Sequence, residues 1–421
     1  MVKKTLLPNG IRIVTEKMPY VRSVSMGVWV NVGARDESDV QNGLSHFIEH
    51  MIFKGTARRN AFQIAKEFDA VGGHSNAFTS MENTCYHARV MDAHLDTMVD
   101  ILSDIFLNSV FDRVEIERER QVIFQEIGML EDTPEEYVHL LTGANFWGGH
   151  PLGRSILGSR DNILSFDTAA IQSFFGQFYH PERIVIAVAG NVDHDQIVDL
   201  AGPNFGAIRN NEAFPARSAP RPGKGVHLHQ RSLEQVHVCL AAPGLSITDP
   251  RRFTFSLLST LLGGNMSSRL FQEIREQRGL AYSVYSFVSS HVDTGMFGVY
   301  AGVNAQDVAE TVRLTLQSMA RMGRGTVSAD ELRDAKEYTK GNLFLAAESV
   351  DNQMVRLAQN EINFNRYIPL QTVVDGIESI TAEDVRELAQ ALFHANQISL
   401  TLLGPMKTAE GLEQIMEEAL G

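Results

Sequence analysis

A sequence pattern in the first half of this 421-residue chain recurs 214 residues later. His180 is followed by an apolar segment that ends at Gly190, and His394 is followed by a similar segment that ends at Gly404. Internal similarity over such a distance indicates two copies of one folding unit of about 200 residues. A chain of this length is also expected to divide into more than one domain, because single hydrophobic cores stop growing beyond roughly 250–300 residues.

Alternating apolar residues predict corresponding strands in the two halves. Apolar side chains repeat with period two over 24–32, and a counterpart lies near 236–242. We predict an α+β fold with two homologous domains, each a mostly antiparallel β-sheet flanked by α-helices. The predicted boundaries are a first domain over 1–210, a polar, proline-containing linker over 211–224 and a second domain over 225–421.

Composition excludes several classes of protein. The formal net charge of −14 disfavours nucleic acid as a partner. It suits basic ligands if the acids line a cavity, and it equally fits acids spread over the surface.

Cys85 and Cys239 form no C-x-x-C pair, which indicates a reducing compartment. No apolar run approaches the roughly 18 residues of a membrane span, and the N-terminus does not resemble a secretory signal. We expect a cytoplasmic protein, or an organelle-matrix protein if a presequence has been removed.

A predicted helix that follows Asn42, its expected N-cap, carries two histidines four residues apart. Its apolar stripe consists of Leu44, Phe47, Ile48, Met51 and Ile52. His46 and His50 lie on another face, one turn apart, so both imidazoles can approach one cation. Glu49 precedes the second histidine, and the order H-x-x-E-H is that of the inverted zinc-protease motif. The alternative is a helix with two surface histidines and a solvated glutamate.

A second predicted helix, over about 113–131, places two acids within its apolar stripe. Glu119 and Glu126 are seven residues apart, so they lie two turns apart on one face. Ionised carboxylates on a buried face are costly unless they are paired or bind a cation. A metal ion would explain them, and so would a half-buried face from which both acids reach water.

Two imidazoles and one carboxylate with an open fourth position make a common hydrolytic zinc site. We predict one Zn²⁺ per chain, held by His46, His50 and Glu126. Glu49 would then act as the general base that takes a proton from the attacking water and passes it to the leaving amine. Glu119 would orient a ligand or adjust its charge. Structural roles are expected for the histidines without ligand spacing, namely His74, His87, His94, His139 and His150.

The chain resembles the pitrilysin/insulinase-type inverzincins, and within them the mitochondrial-processing-peptidase-like group of subunits of about 420 residues. The resemblance rests on the segments 43–51, 119–127, 76–79, 150–154 and 156–158. In the family, the third zinc ligand is the last glutamate of the segment that corresponds to 119–127. The resemblance therefore also implies that Glu126 is the ligand and that Glu119 is the supporting acid.

The resemblance implies that Asn76, Ala77 and Phe78 belong to an edge strand that pairs with the backbone of a peptide substrate. Such β-augmentation binds extended chains with little regard for their side chains. Phe78 would line a pocket next to the cleaved bond. A core position in the strand is the alternative for this residue.

Further substrate contacts are implied in the second half of the chain and after the second acidic helix. By resemblance, Arg275 and Tyr282 would hold the substrate backbone and stabilise the oxyanion. The alternative is a solvated helical arginine and an ordinary strand tyrosine.

Processing peptidases have two acids that recognise an arginine near the cleavage site. Glu136 matches the first of these acids, but Leu140 stands at the second, so strict arginine specificity is not expected.

Taken together, these features predict a zinc metalloendopeptidase that hydrolyses short or unfolded peptides, with a preference for basic ones. The resemblance implies a processing-peptidase-like dimer whose two chains enclose a chamber. A homodimer is expected because one chain carries both the zinc motif and the arginine–tyrosine pair. The alternatives are an active subunit of a heterodimer with a related chain and a non-catalytic assembly or scaffold subunit. Neither a membrane nor a nucleic acid is expected as a partner.

Overall fold

A computed structural model describes residues 1–209 and 214–420 of the chain. The strands of this part are β1 (Val2–Leu6), β2 (Arg12–Lys17), β3 (Ser23–Val30), β4 (His74–Thr79), β5 (Thr84–Met91), β6 (Ile184–Gly190), β7 (Gly225–Gln230), β8 (Val236–Pro243), β9 (Ala281–Ser290), β10 (Gly295–Val303) and β11 (Ser399–Gly404).

The α-helices of the described residues are α1 (Leu44–Ile52), α2 (Ala61–Ala70), α3 (Leu95–Asn108), α4 (Arg113–Asp132), α5 (Pro134–Trp147), α6 (Arg160–Ser165), α7 (Thr168–Phe178), α8 (His194–Phe205), α9 (Arg252–Gly263), α10 (Val308–Arg324), α11 (Ala329–Ala347), α12 (Val350–Phe364), α13 (Leu370–Glu378), α14 (Ala382–Leu392) and α15 (Leu412–Leu420). A π-helical segment spans Phe271–Gln277.

The first sheet has the strand order β1-β2-β6-β3-β5-β4. All neighbouring pairs are antiparallel except β2 and β6, which run parallel. Strand β6 lies inside the sheet and is buried along its whole length. Its sequence, Ile-Val-Ile-Ala-Val-Ala-Gly, is mainly β-branched and small, as expected for a strand covered on both faces.

The second sheet repeats this topology, with the strand order β7-β11-β8-β10-β9. Here β7 and β11 run parallel, and the remaining neighbours are antiparallel. The five strands therefore correspond to β2, β6, β3, β5 and β4 of the first sheet. The predicted α+β fold of two homologous, mostly antiparallel domains is confirmed, and β1 is an additional edge strand that the sequence pattern did not predict.

Each sheet is covered by helices on both faces. In the first, α1, α3, α7 and α8 contribute to the large core on one face. The other face packs against α12, where Trp29 Nε1 lies 3.2 Å from Met354 Sδ. In the second sheet, α5 packs against β8 and β11, opposite the main helical layer. In the first sheet, Trp29 is buried because α12 covers its face, and its neighbours Val28 and Val30 face the opposite core.

The two compact units are discontinuous in sequence. The first contains 1–128, 154–217 and 344–367, and the second contains the remaining described residues. Each unit thus takes one helix, α12 or α5, from the other half of the sequence. The predicted domain boundaries stay a prediction, and the part of the predicted linker at 211–213 lies outside the described residues.

Among the helices of residues 1–209 and 214–420, none combines the length and the apolar character that a membrane span requires.

Candidate metal centre

Helix α1 has a glycine at its N-cap position, and the side chain of Glu37 accepts hydrogen bonds from its first backbone N–H groups. Gly43 occupies the N-cap position with φ of 106°, a conformation that favours glycine. The buried carboxylate of Glu37 accepts hydrogen bonds from the backbone N–H groups of Gly43 (2.8 Å) and Ser45 (2.7 Å). Asn42 is therefore not the N-cap, contrary to prediction. Its side-chain amide instead donates to Glu37 at 3.1 Å.

His46 and His50 of α1 converge with Glu126 of α4. Glu126 Oε2 lies 3.4 Å from His46 Nε2 and 3.5 Å from His50 Nε2. One ligand atom from each of the three residues lies within 4.8 Å of the other two. This is the one group of three or more potential metal ligands found within the described residues.

The donor set and its geometry fit a tetrahedral cation. Zn²⁺ with bonds of about 2.0–2.1 Å holds neighbouring ligand atoms roughly 3.3–3.4 Å apart, and the two imidazole–carboxylate separations are 3.4 and 3.5 Å. Glu126 Oε2 is buried and has no hydrogen-bond partner among the described residues. A buried, unpartnered carboxylate oxygen beside two imidazoles is the arrangement expected of a set of metal ligands.

The two histidines differ in electrostatic environment. Burial, followed by the nearby charge of His50, lowers the pKa of His46 to about 4. Burial also acts to lower the pKa of His50, but Glu119 and Glu126 outweigh it and raise that pKa to about 9. The pKa of Glu126 is lowered, mainly by its interaction with His50.

Glu49 lies on α1 between the two histidines and is partly buried. Burial raises its pKa, against hydrogen bonds from Thr79 that act in the opposite direction. Its Oε2 atom is buried without a hydrogen-bond partner among the described residues. One part of the carboxylate is thus held by the end of β4, while one oxygen is free to accept a proton.

Glu119 lies on the Nδ1 side of His50, whereas Glu126 lies on its Nε2 side. Its Oε2 atom is 3.0 Å from His50 Nδ1, and its Oε1 atom is 2.6 Å from Lys54 Nζ. Burial tends to raise the pKa of Glu119, but His50 and Lys54 outweigh it, so the pKa is lowered. A carboxylate that accepts the Nδ1 proton leaves Nε2 of the same imidazole free to bind a metal.

Asn76, Ala77 and Phe78 lie in β4, which forms one edge of the first sheet. Asn76 is exposed and the other two are partly buried. Ala77 packs towards the core that contains α1, whereas Phe78 packs towards the opposite core, 5.3 Å from the ring of Trp29. This contact favours the core role for Phe78, and its role in a substrate pocket stays a prediction.

Arg275 and Tyr282 lie close together in the second unit. The Arg275 guanidinium lies 4.7 Å from the ring centre of Phe271 and 4.8 Å from that of Tyr282. Tyr282, in β9, is 80% exposed. Stacking between two aromatic rings restricts the guanidinium, and Arg275 Nε also lies 3.7 Å from Glu276 Oε1.

The remaining predicted residues fall in or near α5. Glu136 is exposed in the first turn of this helix, and Leu140 is partly buried one turn later. His139, for which we predicted a structural role, packs in the second unit with Nε2 2.9 Å from the Tyr285 hydroxyl. Its surroundings include the aromatic rings of Phe287 and Tyr300 and the Cys239 sulfur, 4.0 Å from Nδ1. His139 belongs to no group of three potential metal ligands among the described residues.

Sequence reasoning missed two residues that support this centre. Lys54 follows His50 by four residues, and this spacing could have indicated that the two share a face of the helix. Glu37 gives no such signal, because it lies in a loop and reaches the start of α1 only through the folded backbone.

Two family models match consecutive parts of the chain. The model described as Insulinase (Peptidase family M16) matches residues 12–160, and the model described as Peptidase M16 inactive domain matches residues 165–338. The first match contains α1 and α4, which carry the convergent histidines and Glu126. The second contains Arg275 and Tyr282.

Relatives and solved structures agree with these matches. The Bacillus subtilis protein named uncharacterized zinc protease YmxG is 40% identical, covering 96% of this chain and 98% of the relative. An uncharacterized zinc protease of Mycobacterium tuberculosis is 39% identical, covering 100% and 97%. The crystal structure of a Helicobacter pylori protease has a TM-score of 0.90 at 22% identity, covering 96% and 100%, and thus shares the fold. The chain belongs to the insulinase family of peptidases, M16.

Proposed function

We propose that this chain is a zinc-dependent endopeptidase that hydrolyses short or unfolded peptides. The observation that carries the proposal is the convergence of His46 Nε2, His50 Nε2 and Glu126 Oε2 beside an unpartnered oxygen of Glu49. Relatives that are named zinc proteases and cover nearly the whole chain support the choice of metal and of reaction.

In this proposal each residue of the centre has one role. His46, His50 and Glu126 hold the metal, which when bound would activate a water molecule and polarise the scissile carbonyl. Glu49 takes the proton of the attacking water on its free oxygen and returns it to the leaving amine. The raised pKa of Glu49 suits this exchange, because the carboxyl group then binds and releases a proton closer to neutral pH. Glu119 orients His50 and does not touch the substrate.

The substrate is proposed to be an extended peptide that pairs with the free edge of β4. An edge strand offers unpaired backbone groups, and backbone pairing selects for chains that can become extended rather than for particular side chains. Arg275 and Tyr282 are proposed to hold the peptide backbone and stabilise the oxyanion, and Glu136 to attract a basic side chain. The net charge of −14 supports a general preference for basic peptides.

We further propose that the chain works as a homodimer that encloses a peptide-sized chamber. This part of the proposal rests on the family resemblance and on the presence of both the zinc motif and the arginine–tyrosine pair in one chain. A chamber would exclude folded proteins and admit short or unfolded chains.

The proposal is tested by incubating the purified chain alone with a mixed library of peptides and with a folded protein. We expect cleavage of peptides, loss of cleavage with a chelator, recovery on addition of Zn²⁺ and no cleavage of the folded protein. Cleavage that survives complete metal removal, or a purified chain that binds no zinc, would contradict the proposal. Size-exclusion chromatography with light scattering measures the oligomeric state in the same preparation.

A second candidate is a subunit that is active only with a different partner chain, or a subunit that has no catalytic activity. It is favoured by one observation, the match of residues 165–338 to a model described as an inactive domain. This candidate predicts that the zinc-loaded chain alone cleaves no member of the library. The complete set of His46, Glu49, His50 and Glu126 favours the catalytic alternative, since a purely structural subunit has no need of a general base.

A further inference from the structure

Lys54 lies at the end of a short chain of contacts that leads to the candidate metal centre. Its Nζ atom is 2.6 Å from Glu119 Oε1, and Glu119 Oε2 is 3.0 Å from His50 Nδ1. The lysine side chain is 29% exposed and the Glu119 side chain 8%. The Lys54 ammonium group therefore pairs with the buried Glu119 carboxylate on the side away from His50.

The two histidines of the centre are supported unequally. His50 has Glu119 behind its Nδ1 atom, whereas His46 Nδ1 is buried without a hydrogen-bond partner within the described residues. The orientation of the pair thus depends on packing for His46 and on an ionic chain for His50. Outer contacts of this kind commonly set the affinity of a metal site.

We infer that Lys54 is a positioning residue for the metal centre, acting through Glu119 on His50. This inference rests on the proposed function, because it assumes that His50 is a metal ligand. Lys54 fixes one oxygen of Glu119, so that the other oxygen is directed at Nδ1 of His50. The His50 imidazole is then preorganised for metal binding, with Nε2 directed towards Glu126.

Geometry favours this role over simple termination of α1. The helix ends at Ile52, and its C-cap is Phe53. The backbone N–H of Lys54 donates to the carbonyl of Met51 at 3.1 Å. Termination therefore needs only backbone groups of Lys54, and the direction of its side chain is explained by Glu119 alone.

The first experiment measures zinc affinity by competition with a chromophoric chelator, using the full-length chain at one fixed pH. Lys54→Met and Lys54→Gln should weaken zinc binding by roughly 10-fold, because the neutral side chains leave Glu119 without its cation. Lys54→Arg should restore most of the affinity. Lys66→Met, at an exposed position of α2, is the matched control and should bind zinc like the wild-type chain.

The second experiment is a double-mutant cycle between Lys54→Met and Glu119→Gln. If Lys54 acts through Glu119, the double variant should bind zinc no more weakly than Glu119→Gln alone. The thermal midpoint of each metal-free variant separates loss of positioning from loss of folding, since positioning predicts reduced zinc affinity with an unchanged midpoint.

Two results would overturn the inference while leaving the proposed function intact. One is wild-type zinc affinity in both neutral variants, and the other is a fully additive loss in the double variant. A wild-type chain that binds no zinc would instead overturn the proposed function together with this inference. A loss that tracks the thermal midpoint, and that Lys54→Arg does not reverse, would assign Lys54 a structural role only.

Discussion

His50 and Glu119 are 69 residues apart in the sequence, and the Nδ1 and Oε2 atoms of their side chains lie 3.0 Å apart. This contact determines which nitrogen of His50 faces Glu126, seven residues further along α4. The same helix therefore supplies one carboxylate behind the imidazole and another in front of it.

Replacing Glu126 with Gln should reduce metal binding more than any other single change in α4. An amide oxygen is a weaker zinc ligand than a carboxylate, so we expect the zinc content of purified protein to fall well below one per chain. Metal analysis and chelator competition measure the effect. Glu115→Gln, in the first turn of the same helix, is the control and should retain wild-type metal content. An unchanged zinc content in Glu126→Gln would place the third ligand elsewhere.

Replacing Glu49 with Gln should abolish peptide cleavage while the metal stays bound. The amide keeps the shape of the side chain but cannot accept the proton, and loss of a general base typically costs about 10²–10⁴-fold in rate. Steady-state kinetics on one peptide from the library, together with metal analysis, give both readouts. Glu49 would not be the base if turnover persisted at the wild-type rate in a fully zinc-loaded variant.

Replacing Arg275 with Ala, or Tyr282 with Phe, should slow peptide turnover without loss of zinc. Both residues lie in the second unit and stack on each other, and neither belongs to the candidate ligand set. We expect roughly 10–100-fold lower kcat/KM with unchanged metal content. Arg278→Ala is the matched control, since this exposed arginine pairs with Glu310 at 3.3 Å. Wild-type kinetics in both test variants would make the pair an ordinary surface feature.

Glu37 should make the stability of the chain depend on pH. Burial raises its pKa to about 7 from an ordinary 4.5, against hydrogen bonds from Ser45 and Gly43 that act to lower it. The folded protein therefore keeps a proton that the unfolded chain loses, so the contribution of Glu37 to stability is complete below pH 4.5 and declines as the pH rises to 7. Relative to Glu37→Gln, the wild-type chain should lose up to about 3 kcal/mol over this interval.

Chemical unfolding at several pH values measures this difference. A loss of helix capping in Glu37→Gln would shift its stability by a similar amount at every pH, so the slope isolates titration of the carboxyl group. Parallel stability curves for the two proteins would show that Glu37 does not titrate in this range.

Local periodicity and one recurrence along the chain were sufficient to predict the repeated fold and the two helices that carry the candidate ligands. The period-two alternation of β3 and the recurrence of His180 and Gly190 at His394 and Gly404 indicated two similar sheets. The spacing of His46 and His50 placed both imidazoles on one face, because a helix brings residues four apart together whatever surrounds it.

Folding in three dimensions decided the remaining features, because they join groups with no fixed separation in sequence. The carboxylate of Glu37 caps α1 from a loop, the ring of Phe78 contacts that of Trp29, and Lys54 forms an ion pair with Glu119 of α4. Helices α5 and α12 each pack on the sheet of the other half of the sequence. Periodicity reports which face of an element is apolar, but it does not name the partner that covers that face. Only the packed chain determines which distant carboxylate meets which imidazole.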